Sequence, residues 1–247
     1  MVEGLVTRMS GTRANSVVFS DAERKAVYRA IFERRDVRSQ FLPDPIPDPV
    51  LGRILQAAHH APSVGFMQPW DFILISDTDL RRVIRENFVD ANRLAAEQYR
   101  GEQRVLYDHL KLEGILEAPV NLCVTCDHSR SLGSGLGRHS APDTDLYSTV
   151  CAVQNLWLAA RAESLGVGWV SILDNNRLRA VLGIPPQVSP VAYLCVGYVS
   201  EFLPAPELQE KGWCRRESLA GLLHFERWGS QDEARAALLA SPMGKHL

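Results

Sequence analysis

The chain reads as an α+β or α/β domain, and three observations lead there. Apolar runs of strand length alternate with stretches whose apolar residues recur at helical spacing, helix-start and helix-stop signals punctuate them, and no internal repeat is present. The 247 residues, 46% hydrophobic and 23% charged, have ordinary globular composition and suffice for one large domain or two small ones.

Ser20-Asp21-Ala22-Glu23 is a capping box, which predicts a helix carrying Val27, Tyr28, Ile31 and Phe32 on one face. Asp48 before Pro49 opens a second helix with Val50, Leu51, Ile54, Leu55 and Ala58 inward, and Pro62 ends it. Residues 72–75 read as a buried strand, residues 77 to about 104 as one long polar helix, and residues 120–125 as a second strand. From Asp143 the spacing of Leu146, Val150, Val153, Trp157 and Ala160 predicts the central, most buried helix, running to Leu165 with Gly166 as its end cap. Residues 167–173 and 190–199 complete the strands, joined by a short helix that ends near Leu182-Gly183. Residues 201–213 hold Pro204 and Pro206 and little periodicity, so they form an arm that packs over the domain or across a second copy of the chain. One domain is expected over 20–228, with the arm from about 201, while 1–19 and 229–247 receive no role.

A net charge of −2 and a pI near 6.4 give no electrostatic reason to expect nucleic acid. Residues 1–16 lack the apolar core of a signal peptide and the longest apolar run, 191–199, is far too short for a bilayer, so a cytoplasmic place is expected. Cys123, Cys126, Cys151, Cys195 and Cys214 sit mostly inside apolar runs, as buried thiols in a reducing compartment do. Cys123-x-x-Cys126 followed by His128 and His139 has a faint zinc look but no second close ligand pair, and His59-His60 point about 100° apart on a helix, so no metal is expected. Gly133, Gly135 and Gly137 lack phosphate-loop spacing and suit a lid or loop.

The densest chemical signal is Arg34-Arg35-Asp36-Val37-Arg38. Planar bidentate guanidinium groups suit phosphate oxygens, whereas the carboxylate among them would repel an anion. Asp36 is therefore either a chemical group or an ion-pair partner of its neighbours. Those neighbours favour its ionised form, while burial under a ligand would do the opposite.

The Arg cluster, then Ala61-Pro62-Ser63-Val64-Gly65-Phe66-Met67-Gln68-Pro69-Trp70, then Gly166-Val167-Gly168-Trp169-Val170-Ser171, resemble in order and spacing the flavin-binding motifs of the nitroreductase superfamily. The resemblance runs from about residue 20 to 228 and implies an α+β sandwich, a mixed sheet wrapped by helices, forming a homodimer with two interfacial FMN sites. It implies FMN contacts from Arg34, Arg35, Asp36, Val37 and Arg38, from Pro62, Ser63, Phe66, Met67 and Gln68, from Leu112 and Ser148, from Gly168, Trp169, Val170 and Ser171, and from Arg216. Asp36 stands where ordinary reductases of the superfamily have Ser, and Phe66 where they have Asn. In both places, and in Lys111-Leu112-Glu113-Gly114-Ile115, Asp145-Leu146-Tyr147-Ser148-Thr149, Gln154-Asn155-Leu156-Trp157 and Lys211-Gly212-Trp213, the chain is similar to a branch that fragments reduced FMN with O2. That branch uses FMN as substrate, releases dimethylbenzimidazole and erythrose 4-phosphate, and takes FMNH2 from a separate NAD(P)H-dependent reductase. Carried over, Asp36 would move a proton near the ribityl C1′ carbon and Ser171 would hydrogen-bond the flavin; Phe66, Met67 and Trp169 would form an apolar wall. The alternatives are an NAD(P)H-dependent FMN reductase or dehalogenase of the same fold, and a flavin-binding protein without chemistry.

Overall fold

The computed structural model describes residues 18–130 and 132–241. The remaining stretches, which hold most of the N-terminal segment, Ser131 and the end of the tail, lie outside the described residues. The chain divides into two compact units, one of Glu33–Arg215 and one of Met1–Phe32 and Arg216–Leu247.

In chain order the helices and strands are α1 (Asp21–Glu33), α2 (Asp48–His59), β1 (Trp70–Ile75), α3 (Thr78–Ala96), α4 (Gly101–Asp108), β2 (Val120–Asp127), α5 (Thr144–Ala162), β3 (Leu165–Val170), α6 (Asn175–Leu182), β4 (Val188–Tyr198), α7 (Glu207–Glu210) and α8 (Glu233–Ala240). The four strands make one sheet in the order β1-β2-β4-β3, with every neighbouring pair antiparallel. The mixed sheet expected from the resemblance is thus corrected: among the described residues the only parallel pairing is an isolated bridge between Asp36 and Val167.

Both faces of the sheet are covered, which is why β2 and β4 read as continuous apolar runs rather than alternating ones. Leu122, Val124, Leu194 and Val196 point to one face, where they meet Ile54 and Ala58 of α2 and Val153, Leu156 and Trp157 of α5. Cys123, Tyr193 and Cys195 alternate to the other face and pack with Ile84 and Phe88 of α3 and Leu178 of α6. Leu156, Ile54 and Leu194 are wholly buried, each contributing about 2 kcal/mol by removal from water. The five cysteines are free thiols, three of them buried.

Two helix boundaries differ from expectation. The single long helix from 77 is two, α3 and α4, because the chain turns at 97–100 and Gly101 takes φ +57. The central helix ends at Ala162, and Ser164, not Gly166, takes the left-handed conformation with φ +63. Gly166 lies inside β3, where an added Cβ would come within 2.4 Å of Val199 Cγ1. The arm lies on its own chain: the Arg161 guanidinium sits 4.1 Å over the Phe202 ring, and Trp213 packs 5.2 Å from Tyr99.

In the terminal unit the capping box forms as read, Glu23 N donating to Ser20 Oγ at 3.3 Å and Ser20 N donating to Glu23 at 2.7 Å. The apolar face of α1 nonetheless stays exposed; none of its residues is buried. Asp232 caps α8 by accepting from Arg235 N at 3.0 Å. Among the described residues no helix is long and apolar enough to cross a membrane.

Candidate functional site

The Arg cluster runs beside β3, the strand at the sheet edge, and pairs with it through a backbone hydrogen bond, Val37 N donating to Val167 O at 3.0 Å. This close approach requires Gly168, since a Cβ there would lie 2.1 Å from Val37 O. Held in this way, Asp36 directs its carboxylate at the same strand: Oδ1 accepts from Trp169 N at 3.0 Å and Oδ2 accepts from Arg38 at 2.5 Å. Beneath them Trp157 of α5 donates its indole N–H to Arg35 O at 3.2 Å, lies 4.9 Å from the Arg34 guanidinium and 6.4 Å from the Trp169 ring.

The opposing influences on Asp36 resolve in favour of burial. Desolvation raises its carboxyl above the usual range, against the lowering effects of Arg38, the Trp169 N–H and Arg34 and with help from Glu207. The side chain still keeps 32% of its surface accessible.

The three arginines do different things. Arg34 lies on Trp157, while Arg35 Nε donates to Leu203 O at 2.8 Å and its guanidinium also reaches Pro204 O, so Arg35 grips the arm. Arg38 is buried between two carboxylates, with Glu207 Oε2 3.9 Å away on its far side. Glu207 and Trp157 are the group's members that the residue patterns did not reveal: Trp157 reads as a core residue at helical spacing, and nothing marks one acid after Pro206.

The second set of expected contacts surrounds a 3-10 turn, Val64–Phe66. Gly65, Phe66 and Gln68 have φ of 61, 54 and 45, a cluster of left-handed residues of the kind that functional loops retain. Phe66 is 76% exposed, whereas Met67 is 1% exposed. Met67 is thus buried within the protein, and of the expected apolar pair in this turn only Phe66 presents surface. The hydroxyl of Ser148 accepts from Val64 N at 3.2 Å and donates to Thr144 O at 2.5 Å, tying the turn to α5. Arg130 donates to Gln68 O at 2.8 Å and pairs with Asp71 at 2.7 Å, fixing the segment that follows.

The Gly133–Gly137 loop packs on the same turn, for a Cβ on Gly133 would fall 1.7 Å from Gly65 O. Its anchor is Arg138, 3.0 Å from Asp145 Oδ2. The same oxygen lies 2.9 Å from His128 Nδ1, and His128 Nε2 lies 2.9 Å from Ser189 Oγ. Cys126, His128 and Asp145 present ligand atoms within 4.8 Å of one another, a trio that replaces the Cys123, Cys126, His128 and His139 set weighed from sequence. Burial pushes the Cys126 thiol up; burial also acts to raise Asp145, but hydrogen bonds from His128 and Leu146 N and the charge of Arg138 hold it low. The carboxylate is thus already satisfied by protein donors. His59 is likewise engaged, accepting from Trp70 Nε1 at 3.2 Å.

Ser171 follows β3 directly and is exposed; with Trp169, Asn175 and Tyr193 it lines a cavity of about 190 Å³. Gly168 and Val170 are buried, Val170 facing the α3 side of the sheet, and Leu112 is half-buried against that same core. Pro62 is exposed beside half-buried Ser63, and Arg216 belongs to the terminal unit. A larger cavity of about 630 Å³ is lined by Arg82, Arg85, Glu86, Asp90 and Arg177, and holds none of the expected site residues. Two groups result: Asp36, Arg34, Trp169 and Ser171 gather at the β3 edge, while Ser63, Phe66 and Ser148 gather at the other end of α5. Ser148 and Trp157 mark those ends, about 13 Å apart along the helix axis. The donor set fits a ligand with an anionic end and a flat apolar body: guanidinium groups, tryptophan faces, an exposed hydroxyl and a carboxyl whose affinity for a proton burial raises.

The nitroreductase family model matches residues 31–198, and the chain belongs to that family. Within it, a protein of Rhodospirillum rubrum named 5,6-dimethylbenzimidazole synthase is 46% identical over 188 residues, covering 76% of this chain and 89% of the relative. One of Rhodobacter capsulatus with the same name is 43% identical over 196 residues, covering 79% and 94%. A crystal structure of iodotyrosine deiodinase bound to FMN and 3-iodo-L-tyrosine superposes with a TM-score of 0.64 at 24% identity, over 83% of this chain and 99% of that one, which establishes the shared fold.

Proposed function

We propose that this protein breaks down reduced FMN with O2 to 5,6-dimethylbenzimidazole, the lower ligand of cobalamin, and erythrose 4-phosphate. The observation that carries this is Asp36, which stands where an ordinary reductase would place a serine and is a carboxyl lifted by burial beside the strand that leads to exposed Ser171. Reduced FMN supplies the electrons for O2 and the carbon skeleton of the product. Arg34 and Arg38 provide positive charge for its phosphate, and Arg35 fixes the arm beside them. Asp36 takes and returns a proton at the ribityl C1′ carbon, Ser171 donates its hydroxyl to the flavin, and Phe66 and Trp169 exclude water. No metal takes part, and the setting is the cytoplasm.

The site is completed in a homodimer. The two groups of flavin residues lie at opposite ends of α5, and a second copy brings the Phe66 turn of one subunit to the Asp36 edge of the other. Exposed Phe66, Leu136 and Tyr147 supply apolar surface for that contact.

Electron supply separates this reading from a reductase or dehalogenase of the same fold. Pure protein given FMN and NAD(P)H in air should oxidise the nicotinamide no faster than a blank and make product only when a separate reductase delivers FMNH2. Rapid NAD(P)H oxidation without dimethylbenzimidazole would replace the proposal with the reductase reading.

A further inference from the structure

Arg38 and Arg34 beside Asp36 would by themselves keep the carboxylate ionised and make it a weak base. Burial works against them, and a third charged group adds to that opposition. Arg38 touches Asp36 through one nitrogen at 2.5 Å and faces Glu207 Oε2 at 3.9 Å with another. Its Nε has no hydrogen-bond partner among the described residues, and neither has Glu207 Oε2, although both atoms are buried. Arg38 therefore does not form the two-pronged pair with Asp36 that its geometry permits; it is divided between two acids. The side chains of Arg38 and Glu207 are each nine-tenths buried, so little solvent screens this arrangement.

Glu207 does not reach this place by chance of a surface rotamer. Arg35 Nε holds Leu203 O at 2.8 Å, and Pro206 O accepts from Gln209 N at 2.9 Å and Glu210 N at 3.1 Å, which sets the turn that directs the first residue of α7 inward. One arginine of the cluster thus fixes the arm, and the arm delivers an acid to another arginine.

Resting on the function proposed above, we infer that Glu207 is a positioning residue: by drawing off part of Arg38 it lets Asp36 hold and return a proton. Two carboxylates share the one buried guanidinium of Arg38, so each is neutralised less fully than by a guanidinium of its own, which favours a proton on one of them. Burial raises the Asp36 carboxyl while its accessible part lets a proton come and go, and the groups that face it are Arg38, Arg34, Glu207 and the Trp169 N–H.

The test uses the full chain, unchanged or as Glu207→Gln or Glu207→Ala, either of which removes the charge. In the FMN-free protein with carboxyl-labelled aspartate, the Asp36 signal, identified by its loss in Asp36→Asn, should titrate at lower pH in both variants than in the parent. With reduced FMN and O2 supplied, kcat should fall about tenfold, within the roughly 10²–10⁴-fold that a positioned proton-transfer group provides. The acid limb of the kcat profile should move down in pH, and FMN affinity should stay within about twofold. Glu207→Asp should restore part of the loss. An unmoved Asp36 titration, or FMN affinity lost in step with kcat, would overturn the inference. If the parent made no dimethylbenzimidazole, the function above would fail, and the titration would still decide the role of Glu207.

Discussion

Asp36 and Arg38 are two residues apart and hydrogen-bonded, yet their loss should look different. Asp36→Asn is nearly isosteric and removes charge and basicity, so FMN should still bind while fragmentation stops; a loss of binding in proportion to product would make Asp36 a structural partner only. Arg38→Ala leaves Asp36 and buried Glu207 facing each other without their cation. Removing one partner of a buried pair costs about 3–5 kcal/mol, and the accessible third of Asp36 places this case near 3 kcal/mol. Thermal unfolding should show Tm lower by about 6–12 °C, and a flavin titration should show weaker binding. The pH dependence has a definite sign. Burial raises the folded carboxyl, so the stability that Asp36 contributes is complete below the ordinary carboxylate range and is lost as pH rises through the raised value. Activity that needs the ionised base runs the other way and rises through the same range. Asp36→Asn should flatten that part of the stability curve; an unchanged slope would show that another group produces it.

Among the elements, β3 and its companion strip 34–38 carry the proposed chemistry. Gly168→Ala would drive a Cβ into Val37 O at 2.1 Å, backbone against backbone with no side chain to yield. The strip must then leave β3, at about 3 kcal/mol, the upper end of overpacking costs, and product formation should disappear with it; a variant of native stability and activity would show the contact to be dispensable. Most elements were legible because their signals are local. The capping box at Ser20 opens α1, and the apolar spacing along α5 follows the face that packs on α2 and the sheet. The failures are equally physical. Helical spacing continues past residue 96, but Gly101 at φ +57 interrupts it, and Ser164 takes a conformation that residue preference assigns to Gly166. The candidate site was legible as motifs and not as geometry. No local rule tells that Arg35 turns to the arm, that Met67 points inward, or that Glu207, 169 residues on from Arg38, meets it. Those depend on long-range packing that sequence spacing does not encode.

For the molecule as a whole, an arm settled on its own chain removes one argument for a dimer and leaves two others. The apolar face of α1 is exposed, and the two groups of residues proposed to hold the flavin lie apart. Sedimentation should find a homodimer, and Phe66→Glu should both weaken it and lower FMN affinity; a fully active monomer would contradict the shared site. The fate of the flavin is decided by a mass balance. Limiting reduced FMN is mixed with the purified protein in air, and FMN, 5,6-dimethylbenzimidazole and erythrose 4-phosphate are quantified by mass. The account predicts that FMN disappears as both products form in equal amounts, with none in Asp36→Asn. Quantitative recovery of oxidised FMN without dimethylbenzimidazole would contradict it.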